Sequence, residues 1–120
     1  MDAVTYVLAG EIIPLLRDDQ EHWFSRANMP TGRELLAAAP LSGDRVLAVG
    51  GSGGLNAVER YDDATNTWTA RANMPTSRRS LAAAPLSGDR VLAVGGYSGS
   101  SVLNAVERYD DATNTWTARA

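Results

Sequence analysis

At 120 residues, with a net charge of −3, 44% hydrophobic and 21% charged residues, the chain has the size and make-up of one small soluble globular domain. That charge leaves no basic footprint for nucleic acid, no run approaches the ~20 apolar residues of a membrane helix, and an acid at Asp2 does not suit a secretory signal, so a cytoplasmic location is favoured. All eleven basic residues are Arg and there is no Cys, which excludes Lys Schiff-base chemistry, disulfides, zinc–thiolate sites and Cys nucleophiles.

In chain order the expected elements are short strands. The first unit is diverged and supplies strands over 4–9, 12–16 and 23–27. A fuller unit follows, with strand a over 34–41 and strand b over 45–49, joined by the tight turn Ser42-Gly43-Asp44. Gly50 and Gly51 end strand b, where they allow positive φ or close backbone approach. Strand c runs over 56–61, Asp62-Asp63-Ala64-Thr65-Asn66 turns the chain, and strand d runs over 67–72. Strand d alternates Trp68, Ala70 and Ala72 with Thr67, Thr69 and Arg71, the pattern of a half-buried strand. Arg71 and Arg119 are thereby expected on an exposed outer face. Strand b is apolar at four successive positions, Val46 to Val49, so both of its faces are expected to be buried. Leu35 to Ala39 and 56–61 have fair helix propensity, but Pro40 and the Gly-rich loops cut those runs to lengths that rarely hold as helices.

An internal repeat organises all of this. Residues 36–51 recur unchanged as 81–96, and residues 55–72 recur unchanged as 103–120. The offset grows between the two blocks because the loop over 97–102 is three residues longer than Ser52-Gly53-Gly54. Trp23 and Arg26-Ala27-Asn28-Met29-Pro30-Thr31 match Trp68 and 71–76, which marks the first unit as a third, partial copy. The divisions expected are 1–31, 32–76 and 77–120.

Gly50-Gly51 after strand b, Glu59-Arg60-Tyr61-Asp62, Asn66-Thr67-Trp68 and Met74-Pro75, repeated with Gly95, Gly96, Tyr109 and Trp116, resemble the kelch repeat. Arg33 and Arg78 stand where such units often carry Arg at the start of strand a. Blades of the WD type would show Gly-His and Trp-Asp pairs, which are missing. The segment from Asp63 to Trp68 is similar to part of an Asp-box, with Thr65 in place of its Gly and Tyr61 in place of its Ser. The kelch resemblance implies an all-β chain of four-stranded antiparallel propeller blades, about 2.75 per chain, set around a channel with strand a innermost. Ala37-Ala38-Ala39 suits the crowding near such an axis. Trp68 and Trp116 are then expected as wedges buried between blades. Kelch-type oxidases bind copper through Tyr, Cys and His. With no Cys and one His, that chemistry is not carried over, and no cofactor or metal is expected.

Other candidate chemistry has simpler explanations. His22 reads as an exposed turn residue, and Asp18-Asp19, Asp62-Asp63 and Asp110-Asp111 as turn caps. Gly50 to Gly54 lacks the Gly-Lys-Ser/Thr ending of a phosphate loop, and the doublet Arg78-Arg79 reads as a solvated loop. The functional clue is where the copies differ: Gly32 against Ser77, Glu34 against Arg79, Leu35 against Ser80, and the b–c loop. In an up-and-down blade the d–a and b–c connections lie at one end, and function tends to sit in loops on a rigid scaffold. Arg33, Glu34, Arg78, Arg79, Tyr97, Ser98 and Ser100 are therefore the candidate contacts for a protein or carbohydrate partner. The expected function is a non-catalytic binding scaffold. The alternatives are a piece of a propeller enzyme whose catalytic blades are elsewhere, and a structural or engineered repeat without a natural ligand. Eleven strands leave two open blade faces, so either two copies close a roughly six-bladed ring or the chain belongs to a longer propeller.

Overall fold

The structure, a computed structural model, describes residues 22–53 and 55–120. The strands expected over 4–9 and 12–16, with Asp18 and Asp19, lie outside the described residues. Within them the chain is all-β and forms two sheets of the same design. β1 (Ala37–Leu41), β2 (Arg45–Val49), β3 (Val58–Asp62) and β4 (Thr67–Arg71) make the first sheet, and β5 (Ala82–Leu86), β6 (Arg90–Val94), β7 (Val106–Asp110) and β8 (Thr115–Arg119) the second. Each is an antiparallel meander in sequence order. In the first sheet the register aligns Ala37, Val49, Val58 and Arg71 at one end and Leu41, Arg45, Asp62 and Thr67 at the other. The two sheets meet where β1 packs beside β5. Among the described residues no helix is long and apolar enough to cross a membrane.

Turn chemistry sets the strand ends. Gly43 and Asp44 both take positive φ, as do Gly88 and Asp89, and this tight reversal fixes Leu41 opposite Arg45. At the c–d turn Asp62 Oδ1 accepts the Ala64 amide at 3.0 Å, an Asx turn, and Asn66 closes it at φ 54°. Strand a begins three residues later than expected because Leu35 takes φ 59°, which no strand residue can hold. Strand c begins at Val58 because Asn56 and Ala57 give their carbonyls to Met74 and Gly50 outside the ladder.

The expected strand over 23–27 is not formed: the segment has no ladder among the described residues, and Trp23 is exposed. Its end is nevertheless seated as a strand-d terminus would be. The Ala27 amide donates to Asn66 Oδ1 and its carbonyl accepts Trp68 Nε1. Ala72 makes the same two contacts with Asn114 and Trp116 one unit later. The two Trp side chains are half-buried rather than buried wedges. Each packs on its cross-strand Tyr, with ring centroids 5.1 and 5.2 Å apart.

Because the two units share their sequence, they report separately on each face of a blade. Val91 is fully buried, whereas its counterpart Val46 is 37% exposed. On the opposite face Val49 is fully buried and Leu41 is 8% exposed, whereas their counterparts Val94 and Leu86 are both 38% exposed. The core lies between the sheets: Leu41, Leu47, Val49 and Val58 of the first blade meet Val91, Ala93 and Tyr109 of the second, with Met74 and Leu81 sealing the edge. The expectation that strand b is buried on both faces therefore fails for Val46 and Val94, which face the open ends of the pair. Burial here is a property of the neighbour and not of the strand alone.

Candidate functional site

The d–a and b–c connections do converge at one end of each blade, since the meander aligns the start of β1 with the ends of β2 and β4. The candidates at this end divide into two kinds. Arg33 and Arg78 are not surface contacts. Their side chains are fully buried and cross-link their own blade. Arg78 donates to the Gly95 and Ala105 carbonyls at 2.9 Å and to Glu107 Oε1 at 2.7 Å. Arg33 does the same to Gly50, Ala57 and Glu59. Each guanidinium thus ties the loop before strand a to the double-Gly corner and to strand c, and a planar fork is the geometry that reaches three acceptors at once.

Glu34, Arg79, Tyr97, Ser98 and Ser100 remain accessible. In the first blade the Ser52 amide donates to the Glu34 carbonyl. In the second the Tyr97 amide donates to the Arg79 carbonyl at 2.9 Å, and the Arg79 amide donates back to Tyr97. The backbone contact is kept while its two side chains change together, from Glu34 and Ser52 to Arg79 and Tyr97. The Arg79 guanidinium lies 5.1 Å from the Tyr97 ring centroid, a cation–π contact. The longer loop is held by Ser98, whose amide and Oγ both donate to the Ser101 carbonyl. Between Gly51, Arg78, Arg79, Tyr97 and Ser98 is a cavity of about 20 Å³, room for a single water. Recognition here would use the exposed rim of the loops, not a deep pocket. Ser52, Ser80 and Ser101 belong to the same end. Ser80 joins the two units by donating its amide to the Leu35 carbonyl at 2.8 Å.

The double Gly has two separate tasks. A Cβ on Gly96 would stand 2.7 Å from the Arg79 carbonyl of its own blade. A Cβ on Gly50 would stand 2.6 Å from the Arg78 carbonyl of the next blade, at the point where the Gly51 amide donates to that carbonyl.

A second polar cluster, on the sheet faces, was not expected from the sequence. Asp111 is buried and receives Arg60 at 2.8 Å, Arg45 at 3.1 Å and Arg71 at 3.2 Å. Arg71 is thus half-buried against the next blade and not on an outer face, and its Nε also donates to the Tyr109 hydroxyl. Asp89 accepts the Ser42 amide and hydroxyl and pairs with Arg45 at 3.0 Å. The Ser42 hydroxyl first, then its amide, and then Arg45 hold the Asp89 carboxyl below its ordinary value. Burial pushes the Tyr109 phenol above its ordinary value. The expected turn-capping role holds for Asp62 and Asp110, while their neighbours Asp63 and Asp111 act as acceptors for the preceding unit. Among the described residues no group of three or more His, Cys, Asp or Glu is arranged to hold a metal.

Four-stranded meanders stacked face to face through buried apolar residues and a corner of paired glycines define a β-propeller blade repeat. The kelch motif model matches residues 36–75 and 78–120, and the chain belongs to the kelch-repeat family. No curated protein matches it by sequence. Among solved structures it is similar to YjhT, with a TM-score of 0.70 and 26% identity over 78% of this chain and 29% of that one. It is also similar to a fungal alcohol oxidase solved in complex with copper, with a TM-score of 0.64 and 23% identity over 72% of this chain and 18% of that one. The chain thus spans less than a third of the length of either.

Proposed function

We propose that the chain is a non-catalytic binding scaffold that presents the d–a and b–c loops to a protein or a small polar ligand. The observation that carries this reading is the paired exchange of Glu34 and Ser52 for Arg79 and Tyr97 on an otherwise repeated framework. The framework residues are spent on cross-links, and the side chains that differ are the accessible ones. Tyr and Arg side by side have the composition of a recognition hot spot. The oxidase likeness favours no enzyme reading, because at 23% identity it bears on the fold alone.

The test is to select ligands from a random peptide library and a glycan array, then map each by amide shifts. Perturbations should gather at Glu34, Ser52, Arg79, Tyr97 and Ser98, and Arg79→Glu with Tyr97→Ala should weaken binding about tenfold or more. Ligands that bind elsewhere, or that ignore those substitutions, would overturn the reading. So would peroxide release from primary alcohols by the copper-supplemented chain.

A further inference from the structure

The two units share the residues that form the cluster between the blades, so among the described residues half of that cluster is left over at the outer face of each blade. On the far face of the second blade stand Ser87, Arg90, Arg108 and Arg119, the counterparts of Ser42, Arg45, Arg60 and Arg71. Arg90 reaches only its own turn, donating to the Ser87 carbonyl at 2.8 Å. Among the described residues Arg90, Arg108 and Arg119 have no carboxylate partner. The near face of the first blade carries the complementary half. Asp44 and Asp63 are the counterparts of Asp89 and Asp111, and they line, with Val46 and Tyr61, an open groove of about 580 Å³.

We propose that the far face of the second blade docks onto the first blade of a second copy of this chain, head to tail. Docking would repeat the contacts between the two blades. Ser87 and Arg90 would reach Asp44 of the second copy, and Arg108 would reach Asp63. Leu86 and Val94 would cover Val46, as Leu41 and Val49 cover the second blade within the chain. Both halves are matched in charge and in shape because the same residues already fit together once.

One seat is taken. Arg26 donates to the Tyr61 hydroxyl at 2.8 Å and to the Asp63 carbonyl and carboxylate, as Arg71 does one blade on. Arg119 of the incoming copy would exchange with Arg26, the same residue type on the same acceptors, and β8 would replace a segment that forms no ladder. The seats of Arg45 and Arg60 are the ones docking fills anew. A head-to-tail contact is heterologous and leaves each copy able to bind on both sides.

Sedimentation of the full chain tests this without reference to the loop end. The mass should rise above 12.8 kDa with concentration, and less so in high salt, because the pairs at the rim are screened. Arg90→Glu with Arg108→Glu should raise the dissociation constant about tenfold or more, and Asp44→Arg with Asp63→Arg should do the same. Mixing the two charge-reversed variants should restore association, since each then offers a face that fits the other, which misfolded variants could not do. Should the Asp variant fail to fold, the Arg90 and Arg108 variant decides alone. A 12.8 kDa mass at all concentrations would overturn the proposal. So would association that the Arg90 and Arg108 reversal leaves untouched.

Discussion

Replacing Arg78 by Ala separates the buried cross-link from the surface beside it. The side chain is fully buried, and its partner Glu107 is 8% exposed at the side chain. The substitution removes the pair at 2.7 Å and the bonds to the Gly95 and Ala105 carbonyls, and it leaves Glu107 charged in a poorly hydrated site. Breaking a buried ion pair from one side costs about 3–5 kcal/mol. Small domains hold about 5–15 kcal/mol in all, so a large share of the stability goes, and the melting temperature should fall by more than about 10 °C. Arg79→Ala, one residue on, loses a half-exposed cation–π contact worth about 0.5–1 kcal/mol. Urea unfolding followed by Trp fluorescence measures both. Adding Glu107→Gln to Arg78→Ala should recover part of the loss, because the orphaned charge is gone. Equal, small effects from Arg78→Ala and Arg79→Ala would refute the division of the loop end into framework and contact residues.

Tyr109→Phe should cost about 1–2 kcal/mol, since the buried hydroxyl accepts from Arg71 and donates to Asn114, and Tyr61→Phe should cost less; chemical unfolding of the two variants compares them. Ser42→Ala should raise the Asp89 pKa toward its ordinary value, read by carbon NMR of the carboxyl, because the Ser42 hydroxyl is the first cause of its depression. That depression gives a stability contribution present above the unfolded carboxylate pKa and lost as pH falls through the folded value, so acid should loosen the contact between the blades first. The raised Tyr109 phenol has the opposite sign: its contribution is present below the unfolded tyrosine pKa and lost as pH rises through the folded one, and ultraviolet titration should show a tyrosine ionising above the ordinary phenol range that Tyr109→Phe removes.

Strand b is the element that reads most directly from sequence. Gly43-Asp44 and Gly50-Gly51 bound it, and both pairs take conformations that end a ladder, so its limits follow from turn chemistry alone. Strand a is harder, because nothing in the residue type at Leu35 announces its positive φ, and its carbonyl accepts the Ser80 amide of the next unit. At the candidate site the sequence places the d–a and b–c loops together at one end of the blade, as the register does, but it does not show which side chains face out. A signal was there. Arg33 and Arg78 are kept while the two residues after each change, and Glu59 and Glu107 are kept with them. That pairing is what a buried cross-link requires and a variable contact does not. The cluster around Asp111 was hidden for a different reason: its donors come from three strands of another blade, and no spacing along the chain brings them together.

The limits of pattern reading here have one physical source. Val46 and Val91 have the same neighbours in sequence and the same place in the sheet, yet one is exposed and the other fully buried. Gly50 and Gly95 share a left-handed backbone, at φ 70° and 65°. A Cβ on the first would strike a carbonyl of the next blade at 2.6 Å, whereas on the second its nearest neighbour is 3.5 Å away. Local sequence sets the strands and the turns between them, and it does so identically in both copies. What differs is whether another blade lies alongside, and that depends on position in the stack. In a repeat protein the energy of a residue is therefore divided between a part its own unit fixes and a part its neighbour supplies. Among the described residues the second part is the one left unfilled at the outer faces of this pair.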